Sequence, residues 1–125
     1  MARQRRLIPI YTTCGEVGAF LRYPYLFNAQ GEWIGWVTSD RQVFSVHGHY
    51  VGYLSDDPRI LRKESSGYLL PRQSPPPAPE PVRPPATVPL APMMRELTAG
   101  TFDVLEEAPE LMPSVDFGDL REDMD

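Results

Sequence analysis

A single cysteine, Cys14, leaves no partner for an intrachain disulfide and suits a reducing compartment. No apolar run approaches the roughly 20 residues that a helix needs to cross a bilayer. The basic start Arg3, Arg5, Arg6 leads into Leu7-Ile8-Pro9-Ile10-Tyr11-Thr12, without the apolar stretch or small-residue cleavage site of a signal peptide. These absences predict a cytoplasmic protein that does not engage a membrane. There is also no Gly-rich phosphate loop, dinucleotide fingerprint or nucleophile–base–orienter set, so the expectation is a non-enzymatic protein with no catalytic residues, cofactor or metal.

What the sequence does have is repetition. Gly18-Ala19-Phe20, Gly35-Trp36-Val37, Gly52-Tyr53-Leu54 and Gly67-Tyr68-Leu69 mark four copies of one short pattern. An earlier glycine closes a turn in three of them, at Gly15, Gly31 and Gly48, each four residues after an aromatic (Tyr11, Phe27, Phe44). Thr, Asn or Ser opening the turn and Gly ending it predict a type I turn whose last residue is left-handed, which glycine adopts without a Cβ clash. Such turns join antiparallel strands through a bulge, so each copy reads as a β-hairpin. Copies two and three superimpose in steps of 17 residues (31 to 48, 35 to 52). The fourth, from Ile60 to Leu70, is shorter and replaces the turn with Lys63-Glu64-Ser65-Ser66.

Glycine weakens a strand, so Gly18, Gly35, Gly52 and Gly67 require a bend, a bulge or a close backbone approach. Strict alternation places Ile34 with Trp36 on one face and Trp33 with Val37 on the other, and likewise Val51 with Tyr53 against Tyr50 with Leu54. Both faces are then apolar, and a module of about 60 residues cannot bury both. Trp33 and Tyr50 are therefore the candidates for an exposed patch that meets a partner or a second copy of the chain.

The pattern Phe27…Gly31…Gly35-Trp36-Val37 and Phe44…Gly48…Gly52-Tyr53-Leu54 resembles the bacterial four-fold β-flower domain family over residues 8–70. The resemblance implies an all-β fold of four repeated hairpins around a pseudo-four-fold axis. It brings no catalytic or ligand-binding residues with it.

Charge divides the chain further. Residues 1–70 carry eight Lys/Arg and six Asp/Glu, a net of +2, while residues 93–125 carry two Arg and ten Asp/Glu, a net of −8. Between them, residues 71–92 hold ten of the fifteen prolines, and proline lacks the amide donor of helix or central strand. The expected organisation is a basic arm (1–7), a hairpin-repeat domain (8–70), an extended proline-rich linker (71–92) and an acidic, mostly disordered tail (93–125). Pro76/Pro79 and Pro81/Pro84 have the spacing of polyproline docking motifs, but Arg72 and Arg83 do not fall at the flanking position, which favours a plain spacer.

Within the tail, Thr101 could cap a short helix through Phe102 and Leu105 that stops at Pro109. Ser114 could cap another through Phe117 and Leu120. Both are too short to hold alone in water, so Phe102, Leu105, Phe117 and Leu120 read as anchors that fold into a partner's groove. His47 and His49 flank a turn glycine with too few companions for a closed zinc site. Cys14 beside Glu16 lacks the cation that would activate a thiol. The function expected is protein–protein interaction or scaffolding, through the acidic tail or the aromatic face. The alternative is a nucleic-acid-associated module that stacks bases on those aromatics beside Arg22, Arg41, Arg59 and Arg62, a reading the net acidity disfavours.

Overall fold

The computed structural model describes residues 6–64 and 70–114. Eight strands form one antiparallel sheet, each strand paired with the next in chain order. They are β1 (Ile8–Tyr11), β2 (Val17–Arg22), β3 (Tyr25–Asn28), β4 (Trp33–Val37), β5 (Gln42–Ser45), β6 (Tyr50–Leu54), β7 (Ile60–Lys63) and β8 (Thr101–Asp103). The chain is thus all-β in its framework. The first three hairpins turn as their sequence predicts. Gly15, Gly31 and Gly48 have φ of 93°, 88° and 88°, and their amides donate to the carbonyls of Thr12, Asn28 and Ser45. The corners between hairpins also repeat: Pro24 O accepts from Val37 N and Arg41 O from Leu54 N. Pro58 O, 17 residues further on, accepts from Tyr11 N, which brings the first strand against the last corner.

The return strands do not follow strict alternation. Leu26 faces Gly35 but Phe27 faces Trp33, so Ile34 is an extra residue; β6 repeats this around Val51 and β2 around Gly18. One extra residue reverses every later side chain. Trp33 and Trp36 consequently share one face, and Ile34 and Val37 the other, which corrects the pairing expected from simple alternation. Both faces become cores. One gathers Ile10, Leu21, Leu26, Ile34, Val37, Val43, Val51, Leu54 and Ile60; the other gathers Phe27, Trp33, Trp36, Phe44 and Val46.

The second glycines serve close approach. A Cβ on Gly35 would strike the Phe44 carbonyl, and one on Gly52 would strike the Leu61 carbonyl, 17 residues on. Each lets the next hairpin's backbone pass where a side chain could not.

The fourth hairpin departs from expectation. Gly67-Tyr68-Leu69 lies outside the described residues; the strand that pairs with β7 is β8, with Leu61 opposite Asp103 and Lys63 opposite Thr101. Its turn glycine is Gly100, at φ 81°. A four-residue helix, α1 (Val104–Glu107), follows, capped by Asp103 rather than Thr101, and a 3-10 turn covers Pro109–Leu111. Val104 is fully buried and Met112 nearly so, both in the first core, with Phe102, Leu105 and Leu111 packed against it. The hydrophobic core therefore does not end before Pro71. Phe102 and Leu105 are folding residues, because both pack against that core.

The proline-rich segment is likewise part of the fold. Gln73 N donates to Gly48 O and Val82 N to Gly31 O, both at 2.9 Å, and Ala91 lies against Gly15. The segment thus returns past three hairpin turns in reverse order at nine-residue intervals (73, 82, 91). Nine residues of polyproline-like chain span roughly 28 Å at about 3.1 Å each. Tyr25 and Tyr11 hydroxyls donate to Pro77 O and Pro89 O and hold the strap between those points.

Two outcomes follow. A chain ending at residue 71 is expected to lose its cooperative thermal transition, whereas one ending at Ser114 should melt like the full chain, as followed by circular dichroism. Gly52→Val should destabilise by about 1–3 kcal/mol or more through the carbonyl clash, and Thr38→Val, at a half-buried corner, by less; equal melting shifts would show that close approach does not constrain Gly52.

Candidate functional site

The densest polar cluster lies where the first hairpin meets the last. Arg59 is 1% exposed, so its charge must be compensated in place. Its Nη2 donates to Asp57 Oδ2 at 2.6 Å and to the Arg95 carbonyl at 2.8 Å, and Nη1 donates to Thr13 Oγ1 at 3.0 Å. Asp57 also accepts from the Ser55 hydroxyl and the Arg95 amide. Burial alone would raise the Asp57 pKa, but the bonds from Arg59, Ser55 and Arg95 outweigh it and hold it at about 2.

Beside this pair, buried Asp103 takes both the amide and the hydroxyl of Thr13 on Oδ2, each at 2.7 Å, while Oδ1 caps α1 through Glu106 N. Glu106 in turn accepts from the Cys14 amide and thiol, at 2.7 and 2.8 Å. That hydrogen bond, with some loss of hydration and the carboxylate's charge, raises the Cys14 pKa. A thiol held protonated is a poor nucleophile. The chemistry of this cluster is closure of the fold.

The expected aromatic patch is mostly interior. Trp33 is 4% exposed, donates Nε1–H to the Gly35 carbonyl, and meets Tyr25 edge-on. Tyr50 is half-buried, edge-on to Phe44, which stacks on Trp36 at 5.3 Å. The bulges put these rings on one face, and Leu7 and strap residue Val82 pack against them. Trp33 is therefore not a free recognition surface, while Tyr50 packs against the same core and stays partly exposed. Of the proposed tail anchors, Phe102 and Leu105 are committed to the core, while Phe117 and Leu120 lie outside the described residues. His47 and His49 are exposed at the third turn, and no group of three or more metal-ligating side chains occurs among the described residues.

The large apolar side chains left most open to solvent, among the described residues, are on the returning chain. Leu90 and Met93 are each 95% exposed, although Pro89 accepts from Tyr11 and Ala91 faces the first turn. Two cavities flank the returning chain. One, of about 390 Å³, lies between the third corner and residues 95–101, with Tyr53, Asp57, Arg59, Leu61, Arg95 and Thr98 among its walls. The other, of about 300 Å³, lies between the first hairpin and the strap.

Sequence reading missed the strap anchors and Arg59. A faint signal existed for the first: only a non-proline residue can donate an amide, and Gln73, Val82 and Ala91 interrupt the proline run. For Arg59 and Asp103 there was none, because their partners Thr13 and Arg95 are remote in sequence.

Eight antiparallel strands arranged as successive hairpins, with glycine turns recurring along them, define a hairpin-repeat β protein. The family model of the 4-fold beta flower protein matches residues 8–102, and the chain belongs to that family. The match runs past residue 70, through the strap and into β8, in agreement with the extent of the fold. Comparison with curated proteins and with solved structures finds no match. No helix among the described residues is long and apolar enough to cross a membrane.

The Asp57 pair sets an acid limit. Its folded pKa is depressed from 3.8 to about 2, so its stabilisation is complete above the unfolded value and is lost as pH falls through the folded one. Asp57→Asn should lower stability at pH 7 by about 2 kcal/mol or more, since it also leaves Arg59 uncompensated. It should flatten the loss of stability between about pH 4 and 2, as measured by urea unfolding at each pH.

Proposed function

We propose that this is a non-enzymatic protein-binding or scaffolding module of the cytoplasm, with four hairpins set around a pseudo-four-fold axis as a rigid support. The observation that carries the reading is the pair Leu90 and Met93, held in water at 95% exposure on a strap tied down at Pro89 and at Arg95. Large apolar side chains on a fixed backbone contribute nothing to folding while exposed, and they lose little entropy when a partner covers them. Beyond Ser114, Asp116, Asp119, Glu122, Asp123 and Asp125 surround Phe117 and Leu120. This acidic segment is the second contact, steering a basic partner and then anchoring to it.

The polar clusters support the same reading. Arg59, Asp57, Asp103 and Glu106 are occupied in holding segments together, and the Cys14 thiol is shifted away from reactivity. A base-stacking role for the hairpins has less support, since Trp33 is enclosed and Arg59 is buried.

Capture experiments with the full chain test the proposal. A protein retained by the wild-type chain should be recovered at least about tenfold less well with Leu90→Ser/Met93→Ser, and also with Phe117→Ala/Leu120→Ala, at unchanged melting temperature. Equal recovery by both double variants would place recognition on the hairpins instead.

A further inference from the structure

The cavity under the strap carries a second assignment, on residues the protein-binding reading does not use. Its walls include Arg6, Arg22 and Arg83, with apolar faces from Leu7, Pro9 and Val88. Aspartate and glutamate are absent from its lining, and among the described residues the ion pairs involve other arginines, Arg41 with Asp56 and Arg59 with Asp57. Three guanidinium groups thus share one concave space without a carboxylate to offset them.

Arg22 sharpens the point. Its Nε is buried and has no hydrogen-bond partner. Buried donors are almost always satisfied, and an unsatisfied charged donor is more costly than a neutral one. Arg22 sits at the end of β2, paired in the sheet with Tyr25, so the backbone that carries it is fixed. The opposing wall is fixed as well: Val82 N binds Gly31 O just before Arg83, and Pro89 O accepts from Tyr11 just after Val88. A cationic space held at both ends is preorganised for an anion, with little chain left to order on binding.

We propose that this cavity binds a small phosphomonoester, its phosphate taken by Arg6, Arg22 and Arg83 and its apolar body lying on Leu7, Pro9 and Val88. Guanidinium forks match phosphate oxygens in pairs, and a dianion offsets more of a three-arginine site than a carboxylate does. The volume of about 300 Å³ admits a ligand of this size.

Titration of the full chain with phenyl phosphate at low salt, followed by amide shifts and calorimetry, decides the matter. The expected result is saturable binding with shifts at Thr87 and Val88, weakened by added salt, and tighter than binding of inorganic phosphate or benzoate. Arg83→Gln, at an exposed strap position, should raise Kd by about tenfold or more without changing the melting temperature. Arg22→Lys should do the same, because a lysine keeps the charge but lacks the planar guanidinium fork that meets phosphate oxygens in pairs. Absence of saturable binding, unchanged affinity in Arg83→Gln, or tighter binding of benzoate than of phenyl phosphate would each overturn the assignment.

Discussion

Arg59 is a guanidinium without access to solvent, and three separate stretches of chain must reach it. The third corner supplies Asp57, the first turn supplies Thr13, and the returning chain supplies the Arg95 carbonyl. Removing any one leaves a buried charge short of partners, which costs several kcal/mol in a typical protein interior. The same place holds Asp103, whose carboxylate ties Thr13 to the start of α1. Closure of the sheet, position of β8 and the placement of Val104 in the core are therefore one arrangement, not three.

The strap follows from that closure. A chain that must travel from the end of β7 to β8 by way of the first hairpin has a long path over the surface. A proline-rich sequence suits it, since its extended form is largely present before folding and little entropy is lost. Its few amides are placed where hairpin turns offer carbonyls, at Gly48 and Gly31. Those glycines have a double reason to lack a Cβ: a positive φ, and a strap carbonyl that a side chain would strike. The strap also shapes the arginine-lined cavity and carries Leu90 and Met93, so both proposed contacts sit on the same proline-rich element.

The acidic character of the chain has a similar division. Asp103 and Glu106 belong to the closing cluster, while the carboxylates after Ser114 lie outside the described residues. A single compositional label over residues 93–125 merged residues that hold the fold with residues proposed to meet a partner. Phe102 and Phe117 show the difference: their local sequence contexts are alike, acid around an aromatic, yet Phe102 is paired opposite Arg62 in the sheet.

Local sequence determined the hairpins. Turn residues with a terminal glycine dictate a left-handed closing position, and the 17-residue step dictates equivalent units, because both depend on neighbours within a few bonds. It also determined that Gly35 and Gly52 must serve some geometric need. What only the tertiary structure decided depends on contacts between distant segments. A one-residue bulge reassigned Trp33 and Trp36 to a shared buried face. The fourth return strand came from Thr101–Asp103, because pairing with β7 rewards any strand that can also deliver Val104 to the core. And the proline run became a strap, because the turn carbonyls that bind it lie far away in sequence and have no local signature.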